Sequence, residues 1–126
     1  MSFSNHLETL VLQWAFTTGS ATRPTQWHVA LYTAGPGEAG GGTEISGNAY
    51  ARISATFSVS GNEAANVSSL ESAAATGSWG TVTHAAVFDA ATGGNMIAHK
   101  PLPESKTIGV GDVFRFPAGQ LKITLD

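Results

Sequence analysis

The chain has 126 residues, a formal net charge of −3, 12% charged residues and no cysteine. That length suits one domain with a real core but not two, and singly scattered Lys and Arg residues exclude the concentrated basic patch that nucleic-acid binding requires. The lack of cysteine excludes thiol nucleophiles, thiolate metal sites and disulfides. Because no apolar run approaches about eighteen residues and the first residues lack a basic signal-peptide start, we expect synthesis in a cytoplasm and no membrane association.

The sequence predicts a helix over residues 5–17. Four apolar residues repeat at the spacing of one helical face: Leu7, Leu10, Val11 and Trp14. Asn5 followed by Glu8 fits a capping box, and Gly19 is placed to end the helix in the left-handed conformation. A helix of this length is marginal alone. Its apolar face therefore packs on the chain's own sheet or docks on a neighbouring subunit.

Strands are predicted wherever short alternating segments lie between Gly, Pro and Asn turns. In the segment 50–59, Ala51, Ile53, Ala55, Phe57 and Val59 are expected to point inward. A short strand is predicted around 66–70, although the alanines of this part of the chain also permit a helical turn. The predicted strands are 27–33, 50–59, 66–70, 82–88, 96–100, 106–110, 113–116 and 120–125.

The stretch 77–95 predicts the centre of the fold. Its residues on both sides of the pleat are small or apolar, which is typical of a strand covered on both faces. Asp89 and the glycines before Asn95 then predict a tight return into the strand 96–100, which Pro101 and Pro103 should stop. Short strands at even spacing predict a mainly β protein: an antiparallel β-sandwich, jelly-roll-like, with one N-terminal α-helix and a single domain over residues 1–126.

Candidate chemistry is sparse. The pattern GxGxxG at 35–40 follows a strand, but Pro36 and the extra glycines block the helix that a nucleotide site needs, so a surface loop is the better reading. The histidines show no metal-ligand spacing, although His84 and His99 could meet on paired strands. The acidic residues in turns are expected to cap backbone amides. We predict no catalytic, cofactor or metal site.

The tryptophans at positions 14, 27 and 79 are predicted to share a core, and an exposed one would be an interface anchor. The low charge of the chain leaves a neutral polar surface. Such a surface fits a plain β domain and equally fits burial against identical copies, since hydroxyls and alanines cost less to desolvate than charges.

Five segments in this order resemble the short proteins called tail-fibre proteins in tailed bacteriophages and prophages: WHVALYT at 27–33, GNAYAR at 47–52, ATGSWGTVTH at 75–84, FDAATGGN at 88–95 and FPAGQLKITL at 116–125. The resemblance covers nearly the whole chain, beginning with the N-terminal helix. It implies a non-enzymatic structural component of the virion. A short β domain of this type could serve as a tail-fibre protein, as a capsid decoration or cement protein, or as the base of a fibre.

The expected function is therefore self-association as a homo-oligomer, with a trimer as the expected state, and binding to capsid or tail proteins of a virion made in the bacterial host cytoplasm. The expected assembly interface is the helix face of Leu7, Leu10, Val11 and Trp14. The alternative is an adhesin module that binds a host surface glycan or receptor through an exposed Trp or Tyr. A small hydrolase built on Asp89 or Glu38 with His84 is the third interpretation.

Overall fold

The structure is a computed structural model and describes residues 1–125. It contains one helix, α1 (Asn5–Phe16), and short antiparallel strands. In chain order the strands are β1 (Ser2–Phe3), β2 (Trp27–Ala34), β3 (Thr43–Glu44), β4 (Ile53–Ala55), β5 (Phe57–Ser60), β6 (Glu63–Asn66), β7 (Leu70–Glu71), β8 (Gly80–Phe88), β9 (Met96–Ile108), β10 (Arg115–Phe116) and β11 (Lys122–Thr124).

The main sheet has the strand order β1-β9-β8-β2-β3, and β4 also pairs with β2. β8 lies at its centre, and five of its residues are buried: Val82, Ala85, Ala86, Val87 and Phe88. Since consecutive residues of a strand point to opposite faces, the unbroken buried run from Ala85 to Phe88 means that both faces are covered. The prediction of a central, doubly covered strand is confirmed.

The return from β8 to β9 is also as predicted. The Asp89 carboxylate accepts a hydrogen bond from the Asn95 backbone N–H at 2.7 Å and one from the Asn95 side-chain amide at 3.1 Å. Gly93 and Gly94 have positive φ angles of 61° and 74°, which glycine adopts without steric cost. The turn therefore holds β8 and β9 in antiparallel register.

Two small sheets complete the fold, one of order β10-β7 and one of order β11-β6-β5. The main hydrophobic cluster joins buried residues of the central sheet, such as Leu31 and Val82, with Leu70, Phe114 and Leu121 from the small sheets and the loops beside them. The core thus lies between the layers. The mainly β, antiparallel fold with one helix is confirmed.

The predicted strand 50–59 is in fact two strands that belong to different sheets. Ile53–Ala55 pairs with β2, whereas Phe57–Ser60 pairs with β6. Ile53 and Ala55 are buried and Phe57 packs against the main core, as predicted. Ala51, which lies before β4 and in no strand, and Val59 in β5 are exposed, so their predicted inward orientation is wrong.

Two further strand boundaries were predicted wrongly. The segment 66–70 is mostly a bend between β6 and β7. β9 does not stop at Pro101 and Pro103 but continues to Ile108, so the predicted strand 106–110 is its end. Beyond its pairing with β1 at Ala98 and His99, β9 is the outermost strand, and prolines are tolerated at a sheet edge.

The helix has the predicted extent, but its caps differ. The N-cap is Ser4, whose hydroxyl accepts the Leu7 backbone N–H at 3.2 Å, and not Asn5. At the other end, Thr17 adopts an extended conformation and its hydroxyl donates to the Gln13 carbonyl at 2.7 Å. The Thr17 hydroxyl thus satisfies a carbonyl at the end of the helix without a glycine in the left-handed conformation. Gly19, which was predicted to end the helix in that conformation, does not have a positive φ angle.

Candidate assembly surface

α1 is attached to the sheet through its first turn. The Ser4 N–H donates to the Ile97 carbonyl at 2.8 Å, and the Ser4 hydroxyl donates to the Met96 carbonyl. Next to this contact, the Asn5 N–H donates to the Glu38 carbonyl at 3.0 Å, and Leu7 packs against the main core. The N-terminal end of the helix is therefore fixed.

The C-terminal half of α1 is apolar and uncovered. None of the twelve helix residues, all of them within the described part of the chain, is buried. Leu12, Trp14 and Phe16 are exposed by 57%, 75% and 78%, and residues 9–22 carry no charged side chain. A helix that is hydrophobic around most of its circumference is normally buried. Its exposure here makes it a candidate surface for contact with another molecule.

One side of α1 forms a groove. The four residues predicted from helical spacing line it together with the following segment, and its volume is about 370 Å³. We call this the α1 groove; its lining is Leu7, Leu10, Val11, Trp14, Ala21, Thr22, Arg23 and Pro24. The structure therefore brings the four predicted residues together on one apolar wall.

The opposite side of α1 carries a second apolar feature that the spacing argument missed. Leu12 and Phe16 are four residues apart and so lie one above the other on the helix. We call this pair the α1 ridge. Successive residues of an α-helix are rotated by about 100° around its axis. The α1 ridge therefore lies on the side of the helix opposite the groove and opposite Leu7, which faces the core. The signal for it was present in the sequence LVLQWAF, in which apolar residues occur on every side of the helix.

The three tryptophans do not share a core. Trp79 is buried, its indole N–H donates to the Asn48 carbonyl at 2.9 Å, and its ring meets that of Tyr50 edge-on at 5.5 Å. Trp27 is partly buried against the same core. Trp14 is mostly exposed, on a helix that has no buried residue. The prediction that the three tryptophans share a core is therefore wrong for Trp14. As an exposed aromatic residue, Trp14 suits the role of an interface anchor.

The glycine-rich loop after β2 packs over the main sheet. A Cβ placed on Gly35 would lie 2.5 Å from Nε2 of His84, so only glycine allows this close approach. Farther along the loop, Oε1 of Glu38 lies 3.5 Å from Nε2 of His99. The loop leads into β3 and not into a helix. It thus covers one face of the sheet, as the interpretation of GxGxxG as a loop indicated.

Arg52 stabilises the scaffold behind these surfaces. Its guanidinium donates to both carboxylate oxygens of Glu44 at 2.9 Å and to the carbonyls of Ala90 and Gly93 at 3.0 and 2.7 Å. It also lies 3.8 Å from the ring centroid of Phe88. The Arg52 side chain is only 8% exposed. One side chain therefore connects the segment after β3 to the turn between β8 and β9, a network that sequence spacing does not reveal.

The neighbouring Tyr50 completes this network. Its hydroxyl donates to Glu44 at 2.6 Å and accepts the Leu31 N–H at 3.0 Å. Burial, and then the hydrogen bond to Glu44, raise the pKa of Tyr50 above its ordinary value. Burial opposes ionisation of Glu44, but hydrogen bonds from Arg52 and Tyr50 and the Arg52 charge outweigh it and lower the pKa of that carboxyl.

The lowered pKa of Glu44 predicts acid sensitivity. Because the folded carboxyl has a pKa below its ordinary 4.5, its stabilising effect is fully present above that value and is lost as the pH falls through the folded pKa. We expect the difference in unfolding free energy between wild type and Glu44→Gln to shrink from neutral pH to about pH 3. Denaturant titrations over this range measure it.

Glu63→Gln is the control for this prediction, because Glu63 pairs with Lys122 at 3.9 Å and the two side chains are 41% and 53% exposed. A surface pair of this kind contributes little at any pH. A Glu44→Gln difference that stayed constant from neutral to acid pH would contradict the role of the ion pair.

The residues of the hydrolase interpretation have other partners. Asp89 is bound to Asn95, and Asp112 accepts the Gly109 N–H at 2.8 Å, so both acids cap turns as predicted. His84 Nδ1 lies 2.8 Å from the Thr83 hydroxyl, while His99 faces Glu38. Although β8 and β9 pair, the two histidines thus contact different groups. Within residues 1–125, no three His, Cys, Asp or Glu side chains are grouped closely enough to hold a metal ion.

The described residues contain no helix with the length and apolar character needed to cross a membrane. What they do contain is a β scaffold that displays an uncovered apolar helix. That combination is typical of structural proteins, in which a large exposed apolar patch is a candidate interaction site.

The model of one protein family, described as Podophage GP4 fiber I protein gp80, matches residues 2–124. Since the match spans nearly the whole chain, the chain belongs to this family and is a phage fibre structural protein. The family implies a location in the virion, and the resemblance to tail-fibre proteins is confirmed. No curated protein matches the sequence.

Proposed function

We propose that this protein is a non-enzymatic component of the virion surface that acts by self-association and by binding neighbouring capsid or tail proteins. In this proposal residues 1–126 form one rigid block, and α1 supplies the contacts. The observation that carries it is the C-terminal half of α1, which is apolar, uncharged and uncovered.

The cost of leaving this surface in water supports association. Trp and Phe side chains bury about 150–250 Å² each, and Trp14 and Phe16 are both about three-quarters exposed. Covering them removes on the order of 250 Å² of apolar surface from water, worth about 6 kcal/mol before the cost of association. Residues 9–22 add no charge that would have to be desolvated.

We propose a closed homo-oligomer, with three copies, as the assembled state. Homo-oligomers usually have closed point-group symmetry. In a ring of three, each helix has two neighbours, which suits a helix with apolar residues around most of its surface. Imaging the intact virion would locate the assembly on the particle. It would distinguish a tail fibre, a fibre base and a capsid decoration or cement protein.

The double variant Leu12→Glu/Trp14→Glu tests the role of α1, since it places a charge on each side of the helix. We expect it to be folded and monomeric in sedimentation velocity at a concentration where wild type is oligomeric, because charges in the contact would have to be desolvated. It should also fail to bind particles that lack the protein.

The matched control is Val110→Glu/Val113→Glu, which changes two exposed valines outside the helix. This variant should assemble as wild type does. A wild-type protein that sediments as a monomer and does not bind virions would overturn the proposed function.

A second candidate function is the binding of a host surface glycan. The exposed ring of Trp14 favours it, since aromatic faces pack against sugar rings and the groove beside it is open. Glycan binding that Trp14→Ala removes while the oligomeric state is unchanged would support this function over assembly through the same residue.

A further inference from the structure

We propose that identical copies meet through the α1 ridge, with their α1 helices parallel around a common axis, and that the α1 groove stays outside this contact. The inference rests on the proposed self-association and adds to it the face that makes the contact. It replaces the face expected from the sequence, that of Leu7, Leu10, Val11 and Trp14, as the contact between copies.

The first argument is the position of the ridge. Thr9, Leu12 and Phe16 follow one another at spacings of three and four residues, the spacing of the seam in a helix bundle. This stripe lies on the side of α1 opposite Leu7, which packs on the core of its own chain. A second copy can therefore approach it without displacing any contact within the chain.

The second argument is charge. When identical faces meet around a symmetry axis, each side chain lies near its own copies, so any charge on that face meets a like charge. The stripe has none, and α1 beyond Glu8 has none. The groove, in contrast, includes Arg23 in its lining. A contact between copies from Thr9 to Phe16 thus buries no charge and leaves Glu8 at its N-terminal edge, whereas one through the groove brings copies of Arg23 together.

The third argument fixes the direction of the helices. Along the stripe the residues change from the polar Thr9 to the apolar and exposed Leu12 and Phe16. Parallel helices place Leu12 against Leu12 and Phe16 against Phe16, so each layer is uniform. Antiparallel helices would place Phe16 against Thr9 and bury the hydroxyl beside an aromatic ring. The parallel arrangement is also the one that a ring of three copies requires.

Disulfide trapping tests this inference, and the natural sequence contains no cysteine that would interfere. We expect the single variants Thr9→Cys and Leu12→Cys each to form a dimer linked between chains on mild oxidation, because a residue on the seam lies close to its own copies. Val11→Cys and Leu10→Cys, on the groove side, are the matched controls and should stay unlinked.

Three results would overturn the inference. Linking in Val11→Cys or Leu10→Cys, without linking in the stripe variants, would assign the contact to the groove. Linking in Leu12→Cys but not in Thr9→Cys would show antiparallel helices. An oligomeric wild type in which none of the four variants links would place the contact on another surface. A monomeric wild type, measured separately by sedimentation, would overturn the proposed function itself.

Discussion

Val87→Asp is expected to prevent stable folding. Val87 is fully buried in the central strand and pairs with Val29 on one side and Ala98 on the other, both also fully buried. The substitution loses the burial of an apolar side chain, about 1.5–3 kcal/mol, and adds several kcal/mol for a carboxyl without a partner. The sum, about 5 kcal/mol or more, is comparable with the whole stability of a small domain.

Val59→Asp is the matched control for this prediction. Val59 also lies in a strand, but it is 76% exposed, so the same substitution should change the unfolding free energy by less than about 1 kcal/mol. Circular dichroism and the soluble fraction after expression measure both variants. Soluble, fully folded Val87→Asp would show that the centre of the sheet is not packed as described.

Arg52→Ala is expected to lower the unfolding free energy by about 3–5 kcal/mol. The substitution leaves the Glu44 carboxylate, itself 25% exposed, with Tyr50 as its remaining side-chain donor. It also removes the hydrogen bonds to the carbonyls of Ala90 and Gly93. Denaturant unfolding of wild type and variant at neutral pH gives the difference directly.

Arg115→Ala is the matched control, because Arg115 pairs with Glu71 at 3.5 Å and both side chains are more than half exposed. Such a pair contributes about 0–1 kcal/mol. The double variant Arg52→Ala/Glu44→Gln should recover part of the loss, since the partly buried carboxylate is removed with its partner. Equal losses in Arg52→Ala and Arg115→Ala would show that the Arg52 network does not stabilise the fold.

The parts of the fold that were predicted correctly depend on neighbours in sequence. The helical spacing of Leu7, Leu10, Val11 and Trp14 placed α1, and the run of small and apolar residues in 80–88 placed the central strand. The Asp89 to Asn95 turn followed from the local hydrogen bonding of aspartate and the conformational freedom of glycine. Interactions over a few residues are enough to specify such features.

The errors occurred where residues far apart in sequence decide the outcome. The strand 50–59 splits because its two halves pair with β2 and with β6. Pro101 and Pro103 remain in β9 because that part of the strand lies at an edge. The Arg52 network was missed because its acceptors Ala90 and Gly93 lie 38 and 41 residues away in the chain.

The sequence by itself determined that the protein is mainly β, that it has one apolar helix at the N-terminal end, and, through its motifs, that it resembles phage fibre proteins. Periodicity is sufficient for this because it reports which residues share a face. Only the tertiary structure decided which faces are covered. It showed that α1 is attached by its first turn, and that the ridge of Leu12 and Phe16 points away from the domain. The physical reason is that burial depends on what the rest of the chain places against a face, and no local pattern contains that information.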